Sequence, residues 1–212
     1  MYELIILSLL MRAPAHGYKI AQVVNDIIGP YARVSNGRLY PLLTRLEQSG
    51  LIELSEEAEQ PRHGERVARS YRITAAGRQR FHELMLDTTS NMGDYQRLFH
   101  LKASIFLFLA HAERLYLIDH YLHYCQTHIW HLTTEIEDLA ARSQPFQQRD
   151  LWLPATLEVM QHRADQWRLE LAWAQRLRER EITYQAKEQH GGASPAECAT
   201  TSRQSAEESG SA

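Results

Sequence analysis

Apolar and polar positions divide the first 90 residues into short elements. Residues 2–12 carry Leu4, Ile5, Leu7, Leu9 and Leu10, too many apolar side chains for one exposed face, which predicts a core helix ended by Ala13-Pro14. A second helix is predicted over residues 16–25, with Ile20, Val23, Val24 and Ile27 inward and Gly29-Pro30 as its stop. In the third, Leu39, Leu42, Leu43 and Leu46 recur at i, i+3, i+4 and i+7 and make one buried face. Ser35 is placed to cap it by accepting a backbone N–H bond, and Gly50 to end it in the left-handed conformation. Pro41 removes one backbone bond to the Gly37 carbonyl but lies near the start. The outer face reads Asn36, Arg38, Tyr40, Thr44, Arg45 and Gln48, with no acid before Glu47. Such a donor-rich face suits a helix in a DNA major groove, where arginine and asparagine pair with base edges and hydroxyls reach phosphates. An ordinary amphipathic surface helix has a polar outer face too, so the neighbouring elements decide between the two.

Two strand-like segments follow, residues 51–55 and 67–73, the second with Val67, Tyr71 and Ile73 on one face. The loop between them holds Pro61 and Gly64, and the pair reads as a hairpin wing. Its tip, Arg62-His63-Gly64-Glu65-Arg66, can favour phosphate, while Glu56, Glu57 and Glu59 on the outgoing side cannot. Thr74 is an N-cap for a helix predicted to run to about residue 92, with Phe81, Leu84 and Met85 inward, and Gly93 is a joint. Three helices with a polar third, then a wing, make a winged helix-turn-helix.

Beyond Gly93 the pattern is helical to about residue 188. The segment Leu98, Leu101, Ile105, Phe106, Phe108 and Leu109 must be covered by something. Leu115, Ile118, Leu122, Cys125, Ile129, Leu132, Ile136 and Leu139 then step by 3 and 4, a sustained heptad seam. After a break at Ser143-Gln144-Pro145, Leu157, Met160, Ala164, Trp167, Leu171 and Ala174 repeat it. Two heptad helices joined by a proline-containing loop suit an antiparallel hairpin packing on itself and on a second copy. Residues 193–212, rich in Ser, Ala, Glu and Thr, read as a disordered tail.

Charge alters this picture only locally. The net charge is −3, and residues 1–90 hold 11 basic and 10 acidic side chains, so any DNA contact must be local. No apolar run reaches a membrane span, and the apolar N-terminus, with Glu3 inside it and no basic segment before it, does not read as a signal peptide. Cys125 and Cys198 give no disulfide framework, and a reducing cytoplasm is the expected home. Glycine loops for phosphate, zinc-protease motifs and nucleophile elbows are missing, so no enzyme is expected. His120, His123, His128 and His131 include i, i+3 pairs, but the ends of the stripe lie about 16 Å apart along a helix, and no metal or cofactor site is expected. Tyr95, Phe99, Tyr116, Tyr121, Tyr124, Trp130, Trp152, Trp167 and Trp173 are material for an effector pocket, each first a packing residue.

The first 90 residues resemble the PadR family of bacterial transcriptional regulators. The resemblance is carried by His16-Gly17-Tyr18, by the run Ser35-Asn36-Gly37-Arg38-Leu39-Tyr40-Pro41-Leu42-Leu43 leading to Arg45-Leu46-Glu47 and Gly50-Leu51-Ile52, and by Tyr71-Arg72-Ile73-Thr74 with Gly77. It implies a DNA-binding homodimer, usually a repressor released by a small molecule or other signal, with Tyr40 and the basic wing tip on DNA. The expected fold class is mainly α with a small β-hairpin wing: a winged helix-turn-helix (1–92), an antiparallel helical dimerisation and effector-sensing domain (93–188) and a tail (189–212). The expected DNA contacts are Ser35, Asn36, Arg38, Tyr40, Thr44, Arg45, Arg62, His63 and Arg66, on a pseudo-palindromic double-stranded operator. Dimerisation is expected through Leu115, Ile118, Leu122, Ile129, Leu132, Ile136, Leu157, Met160, Trp167 and Leu171. The alternative is a protein-interaction module whose winged helix no longer binds DNA.

Overall fold

The computed structural model describes residues 1–29, 34–55, 69–90, 92–142 and 152–191. The chain forms two compact units that divide between Ala110 and His111.

In the first unit, helix α1 (Tyr2–Leu10) is the centre of the core: Leu4, Ile5, Ile6, Leu7 and Leu10 are all buried. The chain then enters a two-residue strand, β1 (Ala15–His16), which has no counterpart in the periodicity because two residues cannot display a period of two. Helix α2 (Gly17–Ile28) buries Ile20, Ala21, Val24 and Ile28. Ile27, expected inward, is exposed, because an i, i+4, i+8 row from Ile20 through Val24 lands on Ile28. Gly29 follows at φ +90°, a conformation that needs glycine.

Helix α3 (Asn36–Gln48) buries Leu39, Leu43 and Leu46, while Leu42 is half-buried. Ser35 occupies the N-cap position, but its hydroxyl makes no capping bond; its carbonyl instead accepts from Arg38 N and Leu39 N at 2.9 and 3.0 Å. The far end closes as expected, with Gly50 at φ +68°. Gly50 N donates to Glu47 O and Leu51 N to Leu46 O, both at 2.9 Å, the paired bonds of a Schellman turn.

Strands β2 (Ile52–Leu54) and β3 (Ser70–Ile73) pair antiparallel, Ile52 opposite Ile73 and Leu54 opposite Tyr71. Strand β1 adds on the other edge of β3, with Ala15 opposite Tyr71, giving the order β1-β3-β2. Val67 and the wing tip lie outside the described residues.

Helix α4 (Ala75–Leu86) begins with the expected Thr74 cap, whose hydroxyl accepts from Gly77 N at 3.0 Å. The same hydroxyl lies 2.6 Å from the Gly50 carbonyl, which ties the start of α4 to the end of α3. The helix stops six residues short of the expected end at Met92. Asp87 turns the chain: its carboxylate accepts from Thr89 N at 2.9 Å and Ser90 N at 3.1 Å, an Asx turn that competes with helix. The Ser90 and Thr89 donors hold its carboxyl well below the usual carboxylate range.

The expected joint at Gly93 is not where the units part. Helix α5 (Tyr95–Ser104) and a 3-10 turn (Phe106–Phe108) belong to the first unit. Tyr95 and Phe99 are fully buried, Phe108 meets Phe81 edge-on at 5.6 Å, and Arg97 donates to the Ile28 carbonyl at 2.7 Å. This is what covers the apolar segment around Leu98–Leu109. Lys102 is fully buried, its Nζ 2.5 Å from the Asp87 carbonyl.

The second unit is a hairpin of two long helices, α6 (His111–Arg142) and α7 (Trp152–Gly191). Its antiparallel register is set by polar pairs: Arg114 with Glu181 at 3.3 Å, Asp119 with Arg178 at 2.6 Å, and the Tyr121 hydroxyl donating to Glu170 at 2.7 Å. Helix α7 reaches Gly191, so the tail expected from residue 189 starts inside it, and residues 192–212 lie outside the described residues.

Candidate nucleic-acid interface

The polar face of α3 is presented by a rigid frame. Leu39, Leu43 and Leu46, each at most 5% exposed, anchor it from below, the Schellman turn fixes one end, and Thr74 locks that turn to α4. Ser35, Asn36, Arg38, Tyr40, Thr44 and Arg45 are all exposed, as is Gln48. The frame thus brings together the six expected contacts on the cap and helix α3. Arg62, His63 and Arg66 lie outside the described residues.

These side chains occupy two flanks. On one, Tyr40 lies across the start of α2. A methyl group built on Gly17 would come within 3.1 Å of Tyr40 Cε1 and 3.3 Å of its hydroxyl, so the glycine of His16-Gly17-Tyr18 makes room for that ring. Behind it stands Tyr71, whose phenol is pushed up first by burial and then by the Glu47 carboxylate, with Arg69 opposing. On the other flank, Arg38 and Arg45 line a cleft of about 540 Å³ with Met1, Tyr2, Glu3, Val34, Gly37, Leu39, Pro41 and Leu42. Its acid, Glu3, is taken by Arg80 at 2.9 Å. The association of Tyr40 with Gly17, and of α3 with the start of α1, is tertiary and left no periodic trace in the sequence; the HGY triplet was its one outward sign.

In the second unit, the residues expected at a dimer seam fall into two groups. Ile118 and Leu132 are buried between α6 and α7, together with Leu117, Tyr121, Cys125, Ala164, Ala174 and Leu177. Leu115, Leu122, Ile129 and Ile136, spaced by seven, stay half-exposed along α6, as do Leu157, Met160, Trp167 and Leu171 on α7. Burial pushes the Cys125 thiol up to about 12, leaving it protonated and unreactive. His128 stacks on Trp167 with centroids 4.2 Å apart and planes within 4°, and Tyr124 meets Trp167 edge-on at 5.6 Å. Burial, then His131 and Arg163, lower the His128 pKa. Tyr121, Tyr124, Trp167 and Trp173 are therefore packing partners, while Tyr116, Trp130 and Trp152 are exposed. Among the described residues no three His, Cys, Asp or Glu side chains group as metal ligands.

The three-stranded sheet and the firmly framed, acid-poor helix α3 together make a winged helix-turn-helix fold. Residues 6–83 match the model of the transcriptional regulator PadR-like family. No curated protein matches the chain. Among solved structures it is similar to Bacillus subtilis PadR in complex with operator DNA, at 22% identity over 81% of this chain and 98% of that one, with a TM-score of 0.38. It is similar also to a PadR-like regulator of Bacillus cereus, at 19% identity over 87% and 99%, TM-score 0.33. A transcriptional regulator of Clostridium thermocellum shares 29% identity over 39% of this chain and 74% of its own, TM-score 0.31. No helix among the described residues is long and apolar enough to cross a membrane.

Proposed function

We propose that the protein binds double-stranded operator DNA as a homodimer and represses transcription in the cytoplasm until a small molecule or other signal releases it. The single observation that carries this reading is the outer face of α3, held rigid from below and presenting Asn36, Arg38, Tyr40, Thr44 and Arg45 within the PadR-like segment. The first unit is the DNA-binding part, with Arg62, His63 and Arg66 of the wing tip on phosphates. The hairpin is the dimerisation and effector-sensing part, and its half-exposed row of Leu115, Leu122, Ile129 and Ile136 supports pairing with a second copy. One helix-turn-helix reads one half-site, so two-fold pairing matches a pseudo-palindromic operator.

The test is a footprint on the DNA upstream of the protein's own gene, repeated with candidate ligands. Two protected half-sites about 10 base pairs apart, or a multiple of that, are expected, with protection lost on adding the effector. Absence of protection on any duplex would favour the second reading, a protein-interaction module, which the balance of 11 basic and 10 acidic residues through Ser90 keeps in view.

A further inference from the structure

We propose that Arg38 and Arg45 form a two-point clip for DNA backbone phosphates and carry affinity without reading sequence; this rests on the DNA-binding function proposed above. It changes the assignment that residue type alone suggests, since arginine on a recognition helix commonly pairs with guanine.

Three observations support it. First, the two arginines are seven residues apart, which at 3.6 residues per turn leaves them about 20° apart around the helix and about 10 Å apart along it. They form a row along one flank, and Tyr40 is about 140–160° away on the other. A helix in a major groove about 12 Å wide turns the middle of its exposed face to the base edges and its flanks to the two backbones. Second, both line the cleft between α3 and the start of α1, whereas Tyr40, Thr44 and Gln48 of the exposed face do not. Third, neither guanidinium makes a hydrogen bond or ion pair among the described residues, whereas Arg72, Arg80, Arg114, Arg168 and Arg178 are each held by a carboxylate. With Glu3 occupied by Arg80, the cleft offers two uncompensated positive charges, the arrangement that accepts phosphate oxygens.

The experiment compares full-length wild type with Arg38→Ala, Arg45→Ala and the double variant. Each is used to select from a randomised duplex pool, and each is titrated with salt on the selected and on a random duplex. Both side chains are exposed, so unchanged thermal melting is expected and is checked. The clip requires each single variant to lose at least roughly tenfold in affinity on both duplexes alike, to lower the salt slope by about 2, one contact in each protomer of the dimer, and to select the wild-type sequence, with about twice the slope change in the double variant. A variant that relaxes the preference at one base pair while keeping its affinity for random DNA would overturn the clip and restore a base contact. Inorganic phosphate, compared with chloride at equal ionic strength, distinguishes the source of the anion. Displacement of DNA by phosphate that disappears in the double variant would make the cleft a free-phosphate site and overturn the backbone assignment. Wild type with no salt-dependent affinity for any duplex would remove the DNA-binding reading itself, and the clip with it.

Discussion

Replacing Gly77 with alanine should destabilise the first unit, although a glycine-to-alanine change within a helix ordinarily gains up to about 1 kcal/mol. The reason is the fit between α4 and the turn after α3. A methyl at Gly77 would run into the Leu51 carbonyl oxygen and come within 2.7 Å of Ile73 Cγ1. The obstacle is backbone, and it is already tied down. Leu51 O accepts from Thr74 N at 3.1 Å, and Leu51 N closes the Schellman turn on Leu46 O at 2.9 Å. Relief therefore has to move the end of α3, the start of β2 and the cap of α4 together. Overpacking of this kind costs about 1–3 kcal/mol. Two weakened hydrogen bonds add roughly 0.5–1.5 kcal/mol each. After the helix-propensity gain, the net loss is about 1–5 kcal/mol, or roughly 4–20 °C in Tm at about 4 °C per kcal/mol. The assay is thermal unfolding by far-ultraviolet circular dichroism beside tryptophan fluorescence. All four tryptophans, Trp130, Trp152, Trp167 and Trp173, lie in the second unit, so fluorescence follows the hairpin while dichroism follows both. An earlier dichroism transition is expected in Gly77→Ala. A Tm equal to or above wild type would refute the packing argument.

The remaining predictions concern the buried lysine and the hairpin. Burial pushes Lys102 down from 10.5 to about 8, with Asp87 opposing, so between those pH values the unfolded chain holds more protons and stability rises with pH. Urea titrations from pH 7 to 11 should show that rise in wild type and lose it in Lys102→Met; an identical pH profile in both would contradict the assignment. In the hairpin, Leu122→Lys with Ile129→Lys places charges on the half-exposed row and should yield a helical monomer by sedimentation and circular dichroism, in place of the dimer proposed for wild type. Ile118→Lys, at a fully buried position, should instead unfold the hairpin itself. A double variant that stays dimeric would move the dimer interface elsewhere.

What the sequence disclosed was local and periodic. The leucine row of α3, the Gly50 stop, the Thr74 cap and the heptads of α6 and α7 are patterns of neighbours within a few residues, and side-chain chemistry fixes them directly. What it did not disclose depends on contacts between distant segments. Strand β1 exists because Ala15 and His16 find Tyr71 and Ser70. Helix α5 and the turn after it belong to the first unit because Phe108, Lys102 and Arg97 find Phe81, Asp87 and Ile28 there, so glycine at 93 was a poor guide to the boundary. The heptads announced a seam, but the hairpin itself buries the row through Ile118, Cys125 and Leu132 and leaves the row through Leu122 and Ile129 half-open. Period alone cannot say which row faces which partner. The polar residues of α3 were legible one by one, while their division between the α2 flank and the α1 cleft was not.

The most direct test of a DNA-binding role is the salt dependence of binding by the full chain. A labelled duplex from the region upstream of its gene would be titrated by fluorescence anisotropy between 50 and 200 mM salt. Tight binding at low salt is expected, falling by about 10³–10⁵ across that range if some 6–10 phosphates are neutralised by a dimer. Binding should also exceed that to a random duplex at every salt concentration. An affinity that is flat with salt, or equal on both duplexes, would contradict it.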